Sequence, residues 1–472
     1  WIALALAAFW AVHPLQVSSV LYVVQRMQTL CTLFVVLALW AYLVARQAQI
    51  EGRSGRTHLG LVGLFGLLAY ASKEDAVLLP AYLLVLELTV LRFRAAQPAL
   101  AAWLRRGFLF GALVGLIAYF ALVIPHYWSW GNYPGRDFTS VERLLTQGRV
   151  LMMYIGQILL PLPERMTFFY DHLPISRGVL EPASTLFAMV GVFAMLAWAW
   201  SWREKRPVFA CGVLLFFAGH FITSNVINLE LVFEHRNHFP LVGAVLAIGD
   251  LFVVAMQRWR LGLTAATALV AMVLAGTTTA TLARAHAWGE PLRLAQYLVE
   301  IAPQSERAWL TLGGAYADLS GLQPDSPYLQ KAIETCELGA QRIDSALLLA
   351  NIVNYKTVRG DVTEQDWARL HDSLGRVTIT VQSRMAVWTA IRNAQRGIPM
   401  DERGVLKMIE IISSRAGFRS DEYLRLAAYV FNDTVYPDEA FPYLKRAVLL
   451  AAPNDPLVAD TLAKWAGAGR ED

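Results

Sequence analysis

The chain has 472 residues, 56% hydrophobic and only 17% charged, with a mean hydropathy of +0.41, which excludes an ordinary soluble protein and puts part of it in a bilayer. Its net charge of +4 averages two unlike parts: residues 1–284 carry 21 basic and 13 acidic groups, residues 285–472 carry 20 and 24. Charge density rises and the net sign reverses at that point, so two domains in two solvents are expected, 1–284 and 285–472.

In chain order, the first apolar run, Trp1–Val12, is shorter than the ~20 residues of a membrane span, so the natural N-terminus and the first spans are expected upstream of Trp1. Further runs follow at Met27–Val44, Leu59–Ser72, Ala76–Leu91, Phe108–Pro125, Val150–Pro161, Ala183–Trp200, Val208–Val226, Leu241–Met256 and Leu261–Leu282. Basic loops fix their sense. Arg46/Arg53/Arg56, Arg92/Arg94/Arg105/Arg106, Arg203/Lys205/Arg206 and Arg258/Arg260 belong on the cytoplasmic side. Parity then leaves Val150–Pro161 as a re-entrant or interfacial helix, and Leu261–Leu282 delivers the remainder of the chain to the periplasm or lumen.

From about Arg284 the pattern becomes amphipathic helices of ordinary length separated by polar turns. Trp309-x2-Leu312-Gly313-x2-Tyr316 fits the first helix of a tetratricopeptide repeat (TPR), Ala332-x3-Cys336 follows loosely, and Ala440-x3-Leu444-x2-Ala447 with Pro453 supplies a later repeat-like helix. A TPR-like α-solenoid presenting a binding groove is the expectation, with a plain helical bundle as the alternative. The fold class is therefore all-α: a polytopic membrane domain followed by helical repeats. Cys31, Cys211 and Cys336 form no close pair, and only 7 of the 41 basic residues are lysine, the bias of a GC-rich bacterial genome and no sign of nucleic-acid binding.

Ionisable residues at span ends are functional candidates because they are costly there. On the outer side lie His13-Pro14 with Gln25-Arg26, Lys73-Glu74-Asp75, the segment Glu164–Glu181 with Asp171, and Leu229–Pro240, which carries Glu230, Glu234, His235, Arg236 and His238. Arg26, Lys73 and Arg236 together would clamp a phosphate, since cationic side chains donate to phosphate oxygens. The plainer reading of each is an interfacial anchor or helix-end charge paired with Glu74 or Glu234. In Glu234-His235-x-x-His238 the histidines stand three apart with the glutamate outside them, so no zinc motif is formed; a divalent metal is not indicated and no cofactor is expected.

Ala8-Phe9 through Leu30, with His13-Pro14, Val20 and Arg26, resembles the stretch after the third span of the transmembrane and tetratricopeptide-repeat-containing O-mannosyltransferases. The Lys73-Glu74 pair and the Glu234–Pro240 segment match further positions of that family in order, so the resemblance covers about residues 1–284. It implies a GT-C type glycosyltransferase fold, a polyprenyl-phosphate sugar donor, and inverting transfer with a carboxylate base and cations steadying the departing phosphate. It also implies that the main catalytic carboxylate lies upstream of Trp1, with Arg26, Lys73, His235 and Arg236 on the lipid phosphate. Glu74, Asp171 and Glu234 become the secondary acidic candidates. His235 and Asn237 stand at positions that vary in the family, so the sugar need not be mannose. The expected protein is a bacterial inner-membrane enzyme, in contact with membrane lipids, that glycosylates a periplasmic protein or peptide held by the repeats. A non-enzymatic membrane scaffold for envelope or secretion complexes, or a lipid-linked oligosaccharide ligase or polymerase, are the alternatives.

Overall fold

A computed structural model describes residues 1–453 and 455–467, and every described element is helical. The chain forms two compact units, residues 1–133 with 138–301 and residues 134–137 with 302–472. The expected border at 284/285 falls inside a helix that continues to Trp288, and the second unit begins at Ala302.

The first unit opens with α1 (Ile2–Ala11) and α2 (Gln16–Leu21), then α3 (Arg26–Ile50) and α4 (Arg56–Ser72), which form a tight hairpin. The run expected over Ala76–Leu91 is broken into a 3-10 turn, α5 (Leu79–Leu86) and a π turn over Glu87–Leu91. Next come α6 (Pro98–Ala118), continued through a π turn into α7 (Ile124–Tyr127), then α8 (Ser140–Leu159), α9 (Ser184–Trp202) and α10 (Pro207–Gly219). α11 (Pro240–Trp259), α12 (Leu263–Trp288) and α13 (Pro291–Ile301) complete the unit. Among the described residues, five helical stretches are long and apolar enough to cross a membrane: Val23–Ile50, Pro98–Tyr127, Ser184–Trp202, Pro240–Trp259 and Leu263–Trp288.

Where re-entry was expected, α8 starts ten residues earlier than the apolar run, in a Thr139/Glu142 capping box, and is 20 residues long. It is amphipathic, and it buries Arg143, Gln147 and Gln157. α10 and α11 cross at two glycines: a Cβ on Gly212 would come within 2.4 Å of the Gly243 carbonyl oxygen, so only glycine permits that backbone approach. By contrast, α6 buries only Leu104 within its unit; it is apolar apart from Arg105 and Arg106, which lie within this helix and not in the loop before it.

Three of the basic connections, those after α3, after α5 and after α9, are joined by hydrogen bonds. Arg46 donates to the Arg94 carbonyl (2.7 Å), and Arg92 donates to the Glu204 carbonyl. Arg46 is not a loop charge: it is fully buried and forms an ion pair with Glu87 at 2.6 Å. Gln49 accepts from its Nη1, while Tyr42 and the Phe93 amide donate to the Glu87 carboxylate. A buried pair whose remaining donors and acceptors are filled is tolerated, whereas either charge alone is not. Arg46→Met should therefore lower stability by about 3–5 kcal/mol, and the double replacement Arg46→Met/Glu87→Met should recover most of that loss. Thermal melts in detergent check this; equal destabilisation by the single and double changes would show that the charges are not a compensated pair.

The second unit is a succession of antiparallel hairpins: α14 (Glu306–Ser320) with α15 (Pro327–Arg342), α16 (Ala346–Arg359) with α17 (Glu364–Arg376), α18 (Val381–Gln395) with α19 (Glu402–Arg415), and α20 (Ser420–Asp433) with α21 (Phe441–Leu450). α22 (Pro456–Gly467) follows. Alternate helices also touch, α14 to α16, α16 to α18, α18 to α20 and α20 to α22, so one row of helices runs along the unit. Side-chain caps from Ser305, Ser326, Ser345, Thr363, Thr380 and Asp401 start successive helices and account for the sharp turns. The Trp309/Gly313 pattern has a packing cause: a Cβ on Gly313 would lie 2.8 Å from the Cys336 sulfur of the paired helix.

Candidate functional site

The segment 223–238, which joins α10 to α11, has little regular hydrogen bonding of its own, and α8 supplies it. Arg143, fully buried, donates through Nε to the Asn225 carbonyl (2.7 Å) and through its two terminal nitrogens to Leu229 (2.5 Å) and Thr223 (2.9 Å). Gln147 donates to the Leu231 carbonyl at 2.8 Å. The Tyr154 hydroxyl donates to the Phe233 carbonyl and accepts from its amide, both at 3.0 Å. These side chains share one face of α8, so the helix works as a ladder on which an irregular loop is hung. Sequence reading passed over them; the signal was the polar stripe Arg143, Gln147, Tyr154 beneath an apolar run.

The end of that loop is fixed by a second buried charge. Glu234 accepts from Arg284 at 2.7 Å, with both side chains almost wholly buried. Its other oxygen accepts from the Tyr170 hydroxyl (3.0 Å) and the Phe168 amide (3.3 Å). Arg284 also donates to the carbonyls of Pro14 (2.6 Å) and Met166 (3.2 Å). Glu234 thus has both oxygens engaged. In the sequence, Arg284 marks only the point where the pattern changes.

Beyond Glu234, a 3-10 turn over Glu234–Asn237 sets His235 within electrostatic reach of Lys73, and Arg236 beside Asp75, the ion-pair partner of Lys73. Lys73 donates to Gln28 Oε1 (2.5 Å) and pairs with Asp75 (3.3 Å), yet keeps a little exposure, 11%. Arg236 donates to the carbonyls of Glu230 (2.7 Å) and Leu231 (3.2 Å) and lies over the Phe233 ring. Gln28, Thr32, Asp75 and Arg236 border a cavity of about 10 Å³, at the lower limit for one water. The hydroxyl of Thr32, Oε1 of Gln25 and Nδ1 of His235 are buried there or nearby without hydrogen-bond partners.

The other candidates lie apart from that core. Arg26 is exposed at the start of α3, Glu74 is exposed beside Lys73, and Asp171 is exposed in the segment after α8. Two of the histidines are already engaged. His238 Nδ1 is engaged by Gln16 Oε1 at 2.5 Å, His13 is held between the Ile158 carbonyl and the Leu15 amide, and among the described residues no three His, Cys, Asp or Glu side chains converge as ligands.

A second feature adjoins the polar cluster. α5 and α6 enclose an apolar groove of about 880 Å³, with Leu78, Ala81 and Leu84 on one side and Phe108 and Leu116 on the other. Gly107, Gly111 and Gly115 form its floor along α6, and a Cβ added at any of them meets nothing within 4 Å. Val77, two residues past Asp75, and Ala218, next to the Gly219 that borders the small cavity, also line the groove, so the two spaces are neighbours.

Burial, reinforced by the cations Lys73 and Arg236, lowers the His235 imidazole to about 3, and burial with Lys73 lowers His238 to about 4. Both rings are neutral in the fold and accept a proton at 6.5 when unfolded, so the stability they contribute is complete above that pH and is lost as pH falls towards 4. Each should cost about 1.4 kcal/mol per pH unit below the unfolded value. Melting temperature in detergent should drop between pH 6.5 and 4.5, and His235→Asn should flatten the slope; an unchanged slope would show that His235 does not titrate on unfolding. The chain matches no protein-family model, no curated protein and no solved structure.

Proposed function

We propose that the chain is a polytopic glycosyltransferase of GT-C type that moves a sugar from a polyprenyl-phosphate donor to a hydroxyl of a periplasmic protein or peptide. The observation that carries this reading is that the α5/α6 groove neighbours the small polar cavity bordered by Arg236 and Asp75, the ion-pair partner of Lys73. A groove of 880 Å³ with an apolar lining and a glycine floor suits a branched hydrocarbon chain, and the cations around the neighbouring cavity suit the attached phosphate.

In the transfer step the acceptor oxygen bonds to the anomeric carbon while the bond from that carbon to the phosphate oxygen breaks. The lipid phosphate leaves with the electron pair, and Lys73, with Arg236 behind it, neutralises the charge that develops. The acceptor proton passes to a carboxylate; Glu74, exposed beside Lys73, is this chain's candidate. Asp171 is exposed but belongs to another segment, and Glu234, spent on Arg284, positions the loop instead. Arg26, exposed at the start of α3, is available to the phosphate from the solvent side.

The clustered basic connections belong on the cytoplasmic side by the positive-inside rule, which sets the Lys73 end and the second unit on the periplasmic side of a bacterial inner membrane. The second unit, with its rows of alternate helices, is read as a TPR-like α-solenoid that holds the acceptor.

Membranes bearing the protein, given radiolabelled polyprenyl-phosphate sugars, should transfer label to protein. Lys73→Gln and Gly111→Leu should each reduce transfer at least about tenfold, the first by removing a charge-assisted contact and the second by filling the groove. Wild-type rates in both variants would remove the proposed donor site. Absence of transfer by the unaltered protein with every donor would leave the scaffold reading.

A further inference from the structure

The connections after α5 and α9 hold positive charge that folding does not neutralise. In the connection after α9, Arg203 pairs with its neighbour Glu204 (3.7 Å), and Arg206 pairs with Asp250 of α11 (2.9 Å), so these two carboxylates are taken. Arg92, which follows the π turn after α5, donates to the Glu204 carbonyl and is thereby held next to the Glu204–Lys205 peptide. Arg92 and Lys205 are both exposed, and among the described residues neither has a carboxylate partner. The Lys205 side chain makes no hydrogen bond at all among those residues. Two like charges are therefore kept in one place with their repulsion uncompensated.

Two further observations bear on what those charges meet. Arg92 occupies the left-handed region of backbone space (φ 55°), where glycine is the unstrained choice, and strain of this kind clusters at ligand-binding positions. α9, which leads to Lys205, is an apolar helix whose Phe187, Val190 and Phe193 are exposed along its length. Near its end Trp200 is exposed too, and the Arg203 guanidinium lies 4.2 Å from the centre of its ring. Tryptophan favours the depth at which headgroups meet hydrocarbon. Along α9 the surface thus runs from apolar, through tryptophan, to cationic, which is the order of chain, glycerol and phosphate in a phospholipid.

We propose that Arg92 and Lys205 bind the headgroup phosphate of an anionic phospholipid whose acyl chains lie along α9. The phosphate oxygens accept from the Arg92 guanidinium and the Lys205 ammonium, and the negative charge offsets the repulsion between them. A zwitterionic lipid has the same phosphate but brings an ammonium group of its own, which the two cations repel, so the site selects for net negative charge. Glu204 and Asp250 do not cancel this preference, because Arg203 and Arg206 already neutralise them. The site concerns lipid binding alone and does not depend on the sugar-transfer reading.

The full chain in a neutral detergent is titrated with phosphatidylglycerol or with phosphatidylcholine of the same acyl chains, and bound lipid is counted by native mass spectrometry. Phosphatidylglycerol should bind at least about tenfold more tightly, with affinity falling as salt rises. Lys205→Gln, which removes a charge from a side chain without partners, should weaken phosphatidylglycerol about fivefold, and Arg92→Gln/Lys205→Gln at least about tenfold. Arg92→Lys/Lys205→Arg, which keeps both charges, should retain most of the affinity. Arg392→Gln/Lys445→Gln takes the same charge from exposed positions of the second unit and should change nothing. Equal binding of the two lipids, unchanged affinity in both Lys205→Gln and Arg92→Gln/Lys205→Gln, an equal loss in Arg392→Gln/Lys445→Gln, or full displacement of the lipid by an equal concentration of inorganic phosphate would each overturn the proposal.

Discussion

The ion pair between Glu234 and Arg284 governs the site-bearing end of the first unit. Neither charge could be left alone in a position so nearly free of water, because an unpaired buried charge costs several kcal/mol (about 3–5). Once paired, Arg284 still has donors to place, and they go to the carbonyls of Pro14 and Met166; Glu234 still has an acceptor oxygen, and it takes Tyr170 and Phe168. Four stretches distant in sequence are thereby held at one point. The 3-10 turn that follows Glu234 has little freedom left, so His235 is presented to Lys73, and Arg236 to Asp75, by a constraint located elsewhere.

A second requirement acts on the same loop from the other side. Irregular backbone at the edge of an apolar region needs partners for its carbonyls, and water is a poor supplier there. α8 answers with Arg143, Gln147 and Tyr154, and this explains why a helix of 20 residues in an apolar unit retains a polar stripe. At the opposite end Arg46 and Glu87 do comparable work for the connections after α3 and α5, with Gln49 and Tyr42 completing the network. Between the two ends the unit leaves α6 almost unburied and a glycine-floored groove beside it. Such a face is costly in water and suits an apolar environment.

The second unit follows other rules. Its helices begin at side-chain caps, carry surface ion pairs such as those of Arg369 with Glu337 and Arg376 with Asp344, and pack through small residues against large ones. Capping and exposed charge are effective in water, where a helix end can be solvated and a charge screened.

Much of this was legible in residue order. The apolar runs identify the long helices α3, α6, α9, α11 and α12, because ~20 contiguous apolar residues have no other stable setting. The rise in charge after Arg284 and the Trp309/Gly313 spacing announce helical hairpins, since a glycine at that position is needed where Cys336 approaches. The sequence also singled out Lys73, His235 and Arg236, which lie together, and Arg26, Glu74 and Asp171, which stay at exposed positions. What it could not determine is pairing at a distance. A carboxylate at 234 looks the same in a sequence whether it faces substrate or an arginine 50 residues on, and Arg46 reads as one more loop cation until Glu87 is seen beside it. Periodicity assigns a residue to a face of its own helix; only tertiary packing decides which buried charge meets which, because desolvation penalises every arrangement except the one in which they meet.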